Sequence, residues 1–171
     1  GTRSGAISFS TDDWDENPFS FAVTARVTPR PRCTVRGGGH VIRDGDTSPS
    51  PVLRTDFGTV FQGGLGREHT FTVSNDGGST LTLGALTVPT GYTVTEGLST
   101  NRASGESDTF SVRLDTETTG PKTGDISFFT NSAIDPDGNP FNFLITGQVL
   151  AQGPEVVLLR GDASIEDGDT T

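Results

Sequence analysis

The sequence predicts an all-β protein, an immunoglobulin-like antiparallel β-sandwich repeat, and three observations carry that expectation. Apolar and polar residues alternate in short runs, the pattern of half-buried strands. The chain has 23 Gly and 10 Pro in 171 residues, and these cluster with Asn and Asp between the runs as turns do. No window shows a convincing 3.6-residue apolar period, so helices are not expected.

Each element follows from its own residues. Weaker alternation places strands over 34–36, 41–42, 55–61 and 92–95. His69-Thr70-Phe71-Thr72-Val73 puts Phe71 and Val73 on one face. Leu81 and Leu83 share a face in the next run. Phe110, Val112 and Leu114 point inward from 109–114, leaving Arg113 to solvent. Ile126 and Phe128 form the next stripe, and Phe141, Phe143 and Ile145 the one after. The last two strands, about 123–130 and 140–149, read as a hairpin with a long Asp-rich connection. Turns fall at Asn75-Asp76-Gly77-Gly78, Pro89-Thr90-Gly91, Ala103-Ser104-Gly105-Glu106 and Asp135-Pro136-Asp137-Gly138-Asn139. Roughly seven to nine short strands at this spacing suit a two-sheet sandwich. Trp14 sits in a polar loop and no Cys pair accompanies it, so Phe and aliphatic packing must hold the core.

The chain also repeats itself. Gly5-Ala6-Ile7-Ser8-Phe9-Ser10-Thr11 returns as Gly124-Asp125-Ile126-Ser127-Phe128-Phe129-Thr130. Asn17-Pro18-Phe19-Ser20-Phe21 returns as Asn139-Pro140-Phe141-Asn142-Phe143, and Ile42-Arg43-Asp44-Gly45-Asp46-Thr47 as Ile165-Glu166-Asp167-Gly168-Asp169-Thr170. The offsets, from Gly5 to Gly124, Asn17 to Asn139 and Ile42 to Ile165, are 119, 122 and 123 residues, a period long enough for a domain with its own core. Residues 1–28 therefore read as the C-terminal hairpin of a truncated preceding repeat. Residues 29–150 are one complete sandwich, and 151–171 a linker with the first strand of a truncated following repeat. Phe9, Phe19, Phe21 and Val23 would then lack a complete core, and are expected to dock on the whole unit, fray, or pair with another molecule. Thr28-Pro29-Arg30-Pro31-Arg32 and Ala151-Gln152-Gly153-Pro154 join the units as short, fairly stiff connectors.

Net charge is −10, which repels nucleic acid and anionic lipid at long range, so neither is an expected partner. No apolar run is long enough to span a bilayer. Cys33 is the only cysteine, which excludes an internal disulfide. Met is absent and the first residue is Gly1, as expected of an internal piece or processed product of a larger protein.

Several motifs follow one another in a definite order. They are Asp44-Gly45-Asp46-Thr47 with Pro49, Thr55-Asp56-Phe57-Gly58-Thr59-Val60, and His69-Thr70-Phe71-Thr72-Val73-Ser74-Asn75. Leu81-Thr82-Leu83-Gly84, Asp108-Thr109-Phe110-Ser111-Val112 and the closing Gly124–Phe128 and Phe141–Phe143 runs with Thr146-Gly147 follow. In this order they resemble the bacterial choice-of-anchor D repeat, a relative of the Ig-like repeats of abnormal-spindle and hydin-type proteins. Departures are Ala25 where the second copy has Gly147, and Arg54 ahead of the Thr-Asp-Phe-Gly motif. The resemblance implies a sandwich repeated in large bacterial cell-surface or secreted proteins, with no catalytic residues travelling with it.

Candidate sites are few. Asp135-Pro136-Asp137-Gly138-Asn139 resembles the first half of a calcium loop, but the twelfth position is Thr146 where an EF-hand needs Glu. The turns Asp44–Asp46 and Asp167–Asp169 pose the same choice between a weak calcium site and shared turn geometry. Arg160-Gly161-Asp162 spells an integrin-binding tripeptide, but the complete unit has Gly37-Gly38-Gly39 there, so chance is the better explanation. His40 and His69 have no ligand at metal spacing, and Gly63-Gly64-Leu65-Gly66 lacks the Lys-Ser/Thr of a phosphate loop. No catalytic, cofactor-binding or metal residue is assigned.

The expectation is a non-enzymatic spacer module, extracellular or at the cell surface, with adhesion as an associated role. Its partners are neighbouring repeats of the same polypeptide, with an extracellular protein or glycan beside them. The alternative is a binding module that takes calcium, glycan or protein at loops on one end of the sandwich. Against glycan, Trp14 and Tyr92 are not clustered.

Overall fold

A computed structural model of the chain describes residues 1–132, 140–153, 158–160 and 163–165, the last two segments as backbone only. Alternating sequence becomes strand throughout, and no helix occurs among the described residues. In chain order the strands are β1 Thr2–Phe9, β2 Phe19–Arg26, β3 Cys33–Gly37, β4 His40–Ile42 and β5 Asp56–Phe61. Next come β6 Glu68–Asn75, β7 Leu81–Thr82, β8 Tyr92–Glu96, β9 Asn101–Arg102 and β10 Ser107–Leu114. The chain closes with β11 Gly120–Phe128, β12 Phe141–Leu150, β13 Leu158–Arg160 and β14 Ala163–Ile165.

Two sheets face each other over residues 33–150. One has the order β4-β3-β6-β10-β8 and the other β11-β12-β5, with the short pair β7-β9 beside them. The period-2 residues of each sheet meet between them. Phe71 of β6 lies 5.4 Å from Phe143 of β12, and Phe110 of β10 lies 6.3 Å from Phe128 of β11, ring centre to ring centre. Val35, Ile42, Val73, Val112, Leu114, Ile126 and Ile145 fill the spaces around these rings and are buried. Arg113 is exposed, as alternation requires. This is the expected immunoglobulin-like sandwich.

One pairing departs from the antiparallel rule. β5 runs parallel to β12, with Thr146 opposite Asp56 and Gln148 opposite Thr59. A parallel pair needs a long crossover, and here β6, β8 and β10 of the other sheet, the β7–β9 pair and β11 lie between the two strands in sequence. The register slips by one residue at Phe57-Gly58, and the Thr-Asp-Phe-Gly motif supplies that irregularity. Gly58 has φ 64°, a conformation that disfavours a side chain. Its amide donates to Asp56 Oδ1 at 2.7 Å, while Phe57 goes into the core.

The terminal segments repeat the internal pairings. β1–β2 aligns Gly5 with Val23, Ile7 with Phe21 and Phe9 with Phe19. β11–β12 aligns Gly124 with Ile145, Ile126 with Phe143 and Phe128 with Phe141. All eight pairs from Thr2 to Phe9 occupy the register of Pro121 to Phe128. At the other end β13–β14 pairs Leu158 with Ile165 and Arg160 with Ala163, the register in which β3–β4 pairs Val35 with Ile42 and Gly37 with His40. The segment after 150 thus carries a strand pair where a single strand was expected. Their counterparts 34–36 and 41–42 already read as two strands in the complete unit, and the repeat carries both forward.

Candidate functional site

Two structured places stand out, a turn that joins the two sheets and a joint at the start of the sandwich. The turn is Asp44-Gly45-Asp46. Gly45 takes φ 69°, which turns the chain from β4 toward β12. Asp44 Oδ1 accepts the Asn142 amide at 2.7 Å and the Gly45 amide at 3.1 Å. The Gly45 amide also donates to the Asn142 carbonyl at 2.9 Å, and the Leu144 amide to the Asp46 carbonyl at 2.8 Å. Asp46 Oδ1 accepts the Ser48 amide at 2.9 Å. One carboxylate oxygen of each Asp is therefore committed to the backbone. Asp44 Oδ2 is buried without a partner. Calcium takes roughly six to eight oxygens, and no three His, Cys, Asp or Glu side chains cluster to hold a metal among the described residues. Asp135–Asp137 and Asp167–Asp169 lie outside the described residues.

The joint is built on Asn75, which is fully buried at the end of β6. Its Nδ2 donates to the carbonyls of Ser79 at 2.8 Å and Arg102 at 3.0 Å. Its Oδ1 accepts the Gly77 amide at 3.0 Å and the Arg32 amide at 3.3 Å. The connector is tied down further by backbone bonds, from the Asp76 amide to the Arg32 carbonyl at 3.0 Å and from the Gly78 amide to the Arg30 carbonyl at 2.9 Å. A side chain at Gly77 would strike this backbone, so a bare glycine is needed there. Stiffness expected from proline alone thus has a second source. Sequence reasoning placed Asn75 in a turn but could not see a hub whose partners lie up to 43 residues away.

Three ionisable side chains of the sandwich make contacts that hold the fold. His69 is buried, stacked on Phe57 at 4.4 Å, and its Nδ1 donates to the Arg54 carbonyl at 2.6 Å. Burial disfavours its charged form and holds its pKa below the usual histidine value, with the Arg54 hydrogen bond acting the other way. Tyr92 is buried with its hydroxyl donating to the Lys122 carbonyl at 3.1 Å, and burial, followed by the nearby Asp56 charge, raises its pKa. Burial alone would raise the Asp108 pKa, but the Ser99 amide and the paired Arg102 outweigh it, so Asp108 titrates below the usual range.

The other sequence candidates fall apart in space or onto the surface. Trp14 is 92% exposed while Tyr92 is 5% exposed, so the two rings form no joint platform. His40 is exposed on β4, and Gly63–Gly66 is a loop ahead of β6. Arg160 ends β13, and Gly161-Asp162 lie outside the described residues. A groove of ≈ 670 Å³ runs along β3 and β4, lined by Arg32, Arg36, Arg43, Asp44, Asp76 and Phe141. Its charges are mixed in sign. No helix among the described residues is long and apolar enough to cross a membrane.

No family model matches the chain, and no curated protein matches it. Solved structures do. A protein of unknown function from Porphyromonas gingivalis W83 aligns with TM-score 0.50 and 14% identity, over 86% of this chain and 66% of that one. The chain thus spans just under two thirds of that relative. The ASH/PapD-like domain 7 of human CEP192 aligns with TM-score 0.40 and 11% identity, over 56% of this chain and 82% of that domain. The secreted serine protease VesC from Vibrio cholerae gives TM-score 0.41 and 17% identity, over 58% of this chain and 22% of that one. At these identities the likeness concerns the fold alone.

Proposed function

We propose that this chain is a non-enzymatic structural module, an Ig-like repeat of the choice-of-anchor D type that spaces or presents parts of a larger bacterial surface or secreted protein. The observation that carries the reading is the duplicated register. A closing hairpin and an opening strand pair flank the sandwich, each paired residue for residue like its counterpart inside it. A second support is the joint, where Asn75 and the turn after it bind the connector from Arg30 to Arg32. A tied connector limits bending, which suits a spacer. The buried ionisable groups support the non-enzymatic part, since each is used to hold backbone or pack a ring.

The test is small-angle scattering on arrays of one to four copies of the unit. A compact unit of about 120 residues is roughly 35 Å across. In a spacer the maximum dimension rises by about that amount with every added unit. A dimension that levels off after the second unit means the array folds back on itself, and the spacer reading fails.

A further inference from the structure

The hairpin β1–β2 carries an uncovered apolar face. Phe9 is 52% exposed and Phe21 44%, whereas their counterparts Phe128 and Phe143 are 1% and 0% exposed. Ile7, Phe19 and Val23 share the exposed face, and Phe9, Phe19 and Phe21 lie ring to ring at 5.3 and 6.3 Å. The strands are well formed despite this. Their register is closed at the far end by reciprocal bonds between Gly1 and Val27 at 2.6 and 2.8 Å. Among the described residues the outer edge of β2 has no partner strand either.

We infer that this face and edge are a docking surface for an Ig-like half-sandwich with the chemistry of residues 33–114. The occupant follows from what covers the counterpart hairpin. There Phe71 stands over Phe143 and Phe110 over Phe128, so Phe21 and Phe9 call for a sheet bearing two aromatic rings at the same places. The counterpart edge is filled by β5, which lies along 146–150. By the offset of 122 between Phe21 and Phe143, that edge corresponds to 24–28, where a Thr-Asp-Phe-Gly strand would run parallel.

A second hairpin fits this surface less well. Eight residues by two strands present a face of about 270 Å², against the roughly 800 Å² per partner of a stable interface. A half-sandwich covers the face and pairs the edge as well, so it adds backbone hydrogen bonds that face-to-face stacking lacks. The inference rests on the repeat reading but not on the spacer role, so scattering on arrays can fail while the docking stands.

The test extends the full chain by placing a second copy of residues 29–119 directly ahead of Gly1, which then takes the place of Gly120. Hydrogen exchange at Ile7, Phe9, Phe19 and Phe21 and binding of an apolar-surface dye are measured in the parent and extended chains. The expected result is amide exchange slowed at least a hundredfold and dye binding lost, with both effects reversed by Phe21→Asp. A control carrying residues 29–150 ahead of Gly1 already has its own closing hairpin, and should leave β1–β2 as exposed as before. A hairpin still uncovered in the first extended chain, whether or not the graft folds, overturns the inference. So does a parent chain that sediments as a dimer and becomes monomeric with Phe21→Asp, because a second hairpin would then be the occupant.

Discussion

Replacing Asp44 with alanine separates a turn that laces two sheets from a turn that holds calcium. Asp44 Oδ1 accepts two backbone amides, and their fates differ. The Gly45 amide keeps a second acceptor in the Asn142 carbonyl, so it remains satisfied in Asp44→Ala. The Asn142 amide loses its 2.7 Å partner. A hydrogen bond to a charged group contributes about 1.5–3 kcal/mol, and a buried donor left unmade costs about 1–3 kcal/mol. Against this, removing a carboxylate whose Oδ2 is buried without a partner returns part of the desolvation cost. The net loss should be about 1–3 kcal/mol, a fall in Tm of roughly 2–10 °C for a chain of this size. Asp44→Asn keeps an acceptor at Oδ1 without the charge and should lose about half as much. Urea unfolding of the three proteins at equal m-value, with and without millimolar calcium, is the assay. The expected order is wild type, Asn, Ala, unchanged by calcium. Equal stability of wild type and Asp44→Ala would refute the lacing role, and a calcium-dependent rise in Tm lost in Asp44→Ala would reassign the turn as a metal site.

Perturbations at four further sites read other parts of the structure. Asn75→Ala removes the acceptor for the Arg32 and Gly77 amides and the donor to two carbonyls, and should cost about 2–4 kcal/mol in thermal or urea unfolding. Asn75→Asp should be at least as damaging at neutral pH, because an oxygen would face the Ser79 and Arg102 carbonyls. His69 has a folded pKa below its unfolded value, so the unfolded chain binds the proton more readily. Its stability contribution is then complete above about pH 6.5 and declines as pH falls toward the folded pKa. Urea midpoints between pH 7.5 and 5 should show that decline in wild type and a flatter profile in His69→Phe. Gly147→Ala places a methyl 2.9 Å from Leu114 Cδ2 and 3.0 Å from the Tyr92 hydroxyl, which should destabilise by about 1–3 kcal/mol. Ala25→Gly, at the corresponding place on the uncovered hairpin, should leave the sandwich melt unchanged.

What could be seen in the sequence was whatever alternates. Phe71 and Phe110 are flanked by polar residues on both sides, and Phe128 and Phe143 keep the period-2 spacing with a polar residue on one side, so their strands and inward faces were readable one residue at a time. β7 and β9 are two residues long, too short for a period to show, and β9 was missed altogether. The parallel partnership of β5 with β12 was equally invisible, since pairing between strands so distant in sequence leaves no local pattern. The Asp44 turn was singled out for its recurrence, but only its hydrogen bonds to Asn142 and Leu144 reveal which strand it fastens. Asn75 and His69 were hidden for a related reason. Their roles are contacts of a side chain with carbonyls elsewhere in the chain, Arg102 and Arg54, and composition carries no trace of such contacts.

The central claim proposed here is that one self-sufficient sandwich stands beside a separate hairpin, β1–β2, whose apolar face is uncovered. Native-state hydrogen exchange on the 171-residue chain tests it most directly. Amides in β6, β10 and β12 should open only with global unfolding, at one shared free energy that follows denaturant. Amides in β1 and β2 should exchange through a separate, far cheaper opening that is insensitive to Asp44→Ala. A hairpin protected to the same level as β12, and losing that protection together with it, would mean that residues 1–26 belong to the same cooperative fold and would contradict the claim.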